Sequence, residues 1–136
     1  MNNLLKTYNF SNFEIVKGNG SYLYTADNKK LLDFSAGVAV NSLGYNHAVV
    51  KKTIQEQLKT GITHLSGSQI HLYKNKLSQL LSKESNKGDV FFSNSGAESI
   101  EAALKIARNF GSSKGRDEII AMTSSFHGRT IGALSV

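Results

Sequence analysis

Cysteine is absent from the 136 residues, which excludes a disulfide frame and a thiolate metal site and leaves the redox compartment open. Proline is absent too, without a physical cause that the sequence supplies. No long apolar run follows Met1-Asn2-Asn3-Leu4-Leu5-Lys6, so neither a secretory leader nor a membrane span is expected, and the cytoplasm is the default location. The formal charge of +6 invites a nucleic-acid partner, yet the lysines are scattered (Lys6, Lys17, Lys51, Lys59, Lys74, Lys83, Lys105). Without a basic run or a DNA- or RNA-binding module signature, they read as a solvated surface, and no nucleic-acid or membrane partner is expected. His64 and His71 do not have ligand spacing on one helical turn and no carboxylate cluster joins them, so no metal site is expected. A Gly-x-Ser-x-Gly nucleophile turn, a Walker lysine and a dinucleotide glycine pattern are all missing.

What is present centres on residues 90–108. The β-prone run Val90-Phe91-Phe92 passes through Ser93-Asn94-Ser95 into a segment whose apolar residues Ile100, Ala103, Leu104 and Ala107 follow helical spacing. Ser95 and Glu98 stand at capping-box spacing, with Glu98 reaching back, Glu101 and Lys105 form a favourably oriented pair, and Gly111 offers a stop. A helix N-terminus leaves its first N–H groups unpaired and carries partial positive charge, and Gly96 and Ala97 lack bulk that would keep an anion away. Spacing alone favours an ordinary strand-cap-helix junction that binds nothing.

Glu118-Ile119-Ile120-Ala121-Met122 reads as a second strand, so the two strands and the helix between them have the length of a right-handed βαβ unit with parallel strands. The segment Thr123-Ser124-Ser125-Phe126-His127-Gly128-Arg129-Thr130 then leaves the same sheet edge as the Ser95-Gly96-Ala97 turn, where ligands of such sheets sit. An aromatic face, an imidazole and a guanidinium thereby arrive beside a candidate phosphate cup.

These residues carry a resemblance. Ser93-Asn94-Ser95-Gly96-Ala97-Glu98, Glu101-Ala102-Ala103-Leu104-Lys105-Ile106-Ala107-Arg108 and Ser125-Phe126-His127-Gly128-Arg129-Thr130 are similar to the amino-terminal part of a class III, pyridoxal-phosphate-dependent aminotransferase, within it the acetylornithine branch. Gly18-Asn19-Gly20-Ser21-Tyr22-Leu23-Tyr24 and the segment from Leu32 to His47 agree, so the likeness runs from about Phe13 to Val136. The resemblance implies an α/β fold of type I: an amino-terminal β-meander and helices, then the start of a mixed, mostly parallel large-domain sheet. The chain divides accordingly into residues 1–45 (meander and active-site or interface loop), 46–88 (helices) and 89–136 (start of the cofactor-binding domain). Because the apolar run from Ile131 to Val136 carries no capping signal, the chain reads as a fragment of a longer protein.

Earlier in the chain, Phe13 to Lys17, Ser21 to Thr25 and Lys30 to Phe34 are strand candidates joined by Gly18-Asn19-Gly20 and Ala26-Asp27-Asn28. The glycine-punctuated stretch from Ser35 to His47 is too apolar for a solvated linker. The resemblance places Gly37-Val38-Ala39 near the substrate and the stretch at a dimer interface. Asn46 is expected to cap a helix with Val50, Ile54 and Leu58 inward, ending at Gly61. Ser68 is expected to start another, with Ile70, Tyr73, Leu77, Leu80 and Leu81 on one side. Where the family has proline after the histidine matching His47, Ala48 stands here, which removes a preferred first-turn residue but no chemistry.

The implied activity is transamination, with pyridoxal phosphate as electron sink. Carried over by residue, Gly96 and Ala97 give N–H groups to the cofactor phosphate, Phe126 packs on its ring and Arg129 binds the substrate α-carboxylate through a planar fork of donors. His127 is a supporting group to which no proton transfer is assigned. No catalytic residue is identified, since the family's cofactor-bearing lysine, its ring-nitrogen aspartate and a phosphate-contacting threonine of the other subunit match nothing in these residues. The expected substrates are N-acetylornithine as ω-amino donor and 2-oxoglutarate, in arginine biosynthesis. A homodimeric parent and an inactive fragment are implied as well. Ornithine, succinylornithine and 4-aminobutyrate aminotransferases share the motifs. A non-catalytic phosphate-binding module or interaction remnant is the alternative from another class.

Overall fold

The computed structural model describes Leu4, Leu5 and residues 7–136, in two compact units, Met1–Gly67 and Ser68–Val136. In the first, β1 (Ile15–Asn19), β2 (Tyr22–Thr25) and β3 (Lys30–Leu32) form an antiparallel sheet in chain order, the meander expected from the turn residues. β1 lies two residues later than its apolar run suggests, and an irregularity between Ile15 and Lys17 absorbs the offset by opposing Ile15 to Thr25 and Lys17 to Tyr24. The β2–β3 turn closes on Thr25, whose hydroxyl accepts from Lys29 N at 2.9 Å and donates to the Asp27 carboxylate. Asn28 there takes φ 64°, a conformation its short side chain tolerates.

β3 stops at Leu32 because Asp33 is used otherwise. Its Oδ1 accepts from Ser35 N at 2.8 Å and Ala36 N at 3.1 Å, and its Oδ2 accepts from the Tyr45 hydroxyl at 2.7 Å. Tyr45 also exchanges both backbone hydrogen bonds with Gly20, at 2.8 and 2.9 Å, and its ring lies over Gly18, where a Cβ would come within 2.5 Å of the ring. Gly18 is therefore fixed by close approach. The 35–44 loop is cinched at its base by one aromatic residue.

α1 (Ala48–Lys59) follows, closed by Thr60 as C-cap and then by Gly61 at φ 73°, whose N–H reaches Leu58 O at 3.1 Å. The Asn46 cap is corrected: the N-cap is His47, without a side-chain bond, because Asn46 sits at φ 58° with its side-chain nitrogen 3.3 Å from Asn19 Oδ1. The Val50, Ile54 and Leu58 stripe is exposed among the described residues.

In the second unit α2 (Leu72–Glu84) begins four residues after Ser68, since His71 does the capping, Nδ1 accepting from Tyr73 N at 3.3 Å. α3 (Gly96–Ser112) runs one residue past Gly111, so Gly111 is no stop. Gly111 is buried, and a Cβ there would collide with the Arg116 carbonyl, whereas Gly115 takes the left-handed φ of 62°. α4 (Ile131–Leu134) is a single turn, capped by Thr130, in the run that carries no capping signal in its own residues. The paired parallel strands are corrected too. Neither Val90–Phe92 nor Glu118–Met122 has a ladder partner among the described residues, and Ile120 is 94% exposed. An apolar β-prone run sets the preference for extension, while a strand exists only through the neighbour it bonds to. No helix among the described residues is long and apolar enough to cross a membrane.

Candidate functional site

The site grows from the first turn of α3. Ser95, extended at φ −150° and ψ 162°, accepts from Glu98 N at 3.2 Å, and Glu98 reaches back to Asn94 N at 2.6 Å, one residue earlier than a capping box requires. Ser93 ties in behind, its hydroxyl 2.6 Å from that of Ser99 and 3.1 Å from Ser95 O. These bonds use the N–H of Asn94 and Glu98 and leave those of Gly96 and Ala97, which have no acceptor among the described residues. Nothing lies within 4 Å of a Cβ built on Gly96, so the helix end opens onto space at that residue. Two open donors at the positive end of a helix of nearly five turns form an anion cradle.

The segment after Met122 turns sharply, Ser124 at φ 63°, and returns to this helix. Gly128 is buried at φ 132°, and a Cβ there would lie 2.8 Å from Ala97 Cβ and 3.1 Å from Ala133 Cβ. That glycine is packed on Ala97, and Phe126, His127 and Arg129 flank it in the chain. Phe126 is 73% exposed, and the Arg129 guanidinium carbon stands over its ring, 5.7 Å from the centroid, so a largely exposed aromatic ring carries a cation on one face. His127 is half-buried, and its Nε2 is enclosed without a hydrogen-bond partner among the described residues. The four residues expected from the sequence thus fall within one unit.

Glu101 was expected to pair with Lys105, and that is corrected. Its Oε1 accepts from Gly132 N at 3.0 Å, and bonds from the Thr130 side chain first, then from Gly132 and Ala133 N–H, hold its carboxyl below the usual range. Lys105 adds only a weak field. A backbone N–H fixed in the first turn of α4 holds the carboxylate without the rotamer entropy that a flexible ammonium would lose. Its signal in sequence is faint: a glutamate one turn beyond Ala97 and a Thr-Ile-Gly thirty residues on.

Gly37, Val38 and Ala39, expected near a substrate, belong to the first unit. With Ala36 they take φ of 63°, 61°, 62° and 46° respectively, a left-handed turn, and Val38 is 85% exposed. A β-branched residue there is a true outlier, costing about 1–2 kcal/mol. The same unit holds a cleft of about 520 Å³ lined by Asn41, Tyr45, His47, Lys51 and Ile54, with His47 Nδ1 enclosed and without a hydrogen-bond partner among the described residues. It contains none of the residues singled out for the cofactor.

Residues 6–136 match the family described as Aminotransferase class-III. A mitochondrial acetylornithine aminotransferase of Debaryomyces hansenii is 44% identical over 96% of this chain and 30% of its own length. The acetylornithine aminotransferase of Caldanaerobacter subterraneus subsp. tengcongensis is 42% identical, over 97% of this chain and 34% of its own. Among solved structures, a taurine:2-oxoglutarate aminotransferase of Bifidobacterium kashiwanohense, in complex with PLP and glutamate, superposes with a TM-score of 0.84 at 28% identity, covering 96% of this chain and 29% of that one. The chain thus spans about a third of the length of the curated relatives it matches.

Proposed function

This chain belongs to the class III aminotransferase family, and from that premise we propose that its protein is a pyridoxal-phosphate-dependent aminotransferase of fold type I. Pyridoxal phosphate, when bound, supplies the electron sink that lets an amino group pass between carbon skeletons. The observation that carries the reading is the close approach of Gly128 to Ala97, which packs the segment holding Phe126 and Arg129 on the α3 turn with two open N–H groups. Those N–H groups and the free space at Gly96 fit a phosphate. The exposed face of Phe126 fits a planar ring, and Arg129 fits a carboxylate in bidentate fashion.

In this reading Gly96 and Ala97 hold the phosphate, Phe126 orients the ring so that the bond to be broken stays aligned with its π system, and Arg129 fixes the substrate α-carboxylate. The amino donor is N-acetylornithine and the acceptor 2-oxoglutarate, a choice supported by the names of the relatives. A homodimer, a cytoplasmic location and a place in arginine biosynthesis belong to the same proposal, as does the division at residues 45 and 88. The chain alone turns over nothing, because none of its lysines stands in the family's cofactor motif.

The test is glutamate formation from N-acetylornithine and 2-oxoglutarate by the protein that carries this chain, beside pyridoxal phosphate binding to the chain itself. Binding that Gly96→Val abolishes, with turnover in the longer protein only, is the expected result. Turnover with ornithine but not N-acetylornithine would move the substrate, and binding insensitive to Gly96 would remove the phosphate site.

A further inference from the structure

α3 and α4 are the only helices in contact among the described residues, and the contact has a simple register. Ala97 and Glu101 are four residues apart on α3, hence on one face and about 6 Å apart along the axis. Gly128 and Gly132 are four residues apart on the returning segment. Each glycine is pressed on one α3 residue: a Cβ on Gly128 would meet Ala97 Cβ at 2.8 Å, and a Cβ on Gly132 would meet both Glu101 carboxylate oxygens at 2.5 and 2.6 Å. Arg129 and Thr130 lie between these two points.

We propose that Glu101 is a positioning residue, a latch that fixes the Gly128–Gly132 segment on α3 and so sets Arg129 at the distance from the α3 N-terminus that one ligand with a phosphate at one end and a carboxylate at the other requires. The idea rests on the site reading above. The first contact, Gly128 on Ala97, is apolar and sets approach alone. The second is directional: Glu101 Oε1 takes the Gly132 N–H at 3.0 Å, so the backbone on the far side of Arg129 cannot rotate without breaking that hydrogen bond. Thr130 doubles as the α4 cap, Oγ1 accepting from Ala133 N at 3.4 Å, which ties α4 to the same point. With one anchor the segment would pivot about Gly128. With two, phosphate and carboxylate sites become a single ruler.

The experiment uses the full chain and two ligands that need no catalytic lysine: pyridoxamine phosphate, which reads the phosphate and ring ends, and phosphopyridoxyl-glutamate, which adds the carboxylate. Amide hydrogen exchange of Gly132, Ala133 and Leu134 is followed in parallel. Glu101→Ala is expected to speed that exchange at least tenfold and to bring the preference for phosphopyridoxyl-glutamate down to about one, with pyridoxamine phosphate affinity within twofold of the parent. Glu101→Gln keeps an acceptor for Gly132 N–H and should restore part of both. Gly132→Ala, which crowds the carboxylate from the other side, should copy Glu101→Ala even if the latter folds poorly. Unchanged exchange in Glu101→Ala and Gly132→Ala overturns the latch, as does lost protection with the ligand preference intact. A parent chain without any preference instead overturns the carboxylate role of Arg129, and the exchange arm still judges the latch.

Discussion

Replacing Gly128 by alanine probes the junction on which the site depends. The added methyl would sit 2.8 Å from Ala97 Cβ and 3.1 Å from Ala133 Cβ, where ordinary contacts begin near 3.4 Å, and it would require an L residue at φ 132°. Overpacking of this kind costs about 1–3 kcal/mol and a backbone outlier about 1 kcal/mol more, so the segment should be destabilised by about 2–4 kcal/mol. Backbone, not a flexible side-chain end, is what must move. Local opening should therefore rise roughly 30- to 1,000-fold, read as faster exchange of the Leu134 amide, which bonds Thr130 O at 2.9 Å. Ala97→Gly in the same chain removes the nearer clash and should recover part of the loss, leaving the φ term. Gly96→Ala is the control, since a methyl there meets nothing within 4 Å and should leave exchange unchanged. Exchange at Leu134 that is the same in Gly128→Ala and parent would refute the packing argument.

Gly96→Val should likewise fold as the parent does yet lose most pyridoxal phosphate affinity, measured by absorbance after dialysis, because its branches occupy space the phosphate needs. Arg129→Lys in the protein that carries this chain should raise KM for amino donor and 2-oxoacid with cofactor affinity kept, since one ammonium cannot replace a planar fork; equal kinetics would remove the role. The Tyr45 hydroxyl first, with the Ala36 and Ser35 N–H groups, lowers the Asp33 pKa from 3.8, so this clasp stabilises the fold above about pH 4 and is lost as pH falls through the lower folded value. Tyr45 is raised from 10.0 by Asp33, so its share is present below pH 10 and lost as pH rises through the raised value. Tyr45→Phe should flatten both limbs of a stability-versus-pH curve from circular dichroism, and unchanged limbs would count against the clasp.

The meander was legible because turn residues and alternating side chains are local signals, and the α3 cap because Ser95 and Glu98 stand at fixed spacing. Asp33 ended β3 early for a reason in Tyr45, twelve residues on, which no window over the strand contains. Helix starts at Asn46 and Ser68 were misplaced because a good capping side chain does not determine the backbone angle beneath it. Asn46 is left-handed, and His71 supplies the cap that Ser68 was expected to give. Glu101 shows the same limit: an i, i+4 partner is visible in sequence, while a better partner thirty residues away is not. The extended runs at Val90 and Glu118 carry the right residues for strands, yet pairing is a property of neighbours, and these have none among the described residues.

In this reading Gly96, Ala97 and Phe126 form one end of a cofactor site, with Arg129 at the substrate carboxylate beside it. Titrating the isotopically labelled full chain with pyridoxamine phosphate and following backbone amide shifts tests it most directly, because that ligand cannot react with surface lysines. The largest shifts are expected on the Gly96 and Ala97 N–H resonances, with the segment from Phe126 to Arg129 next, all saturating with one dissociation constant. Shifts confined to scattered lysines, or centred on the cleft around His47 and Lys51, would contradict it.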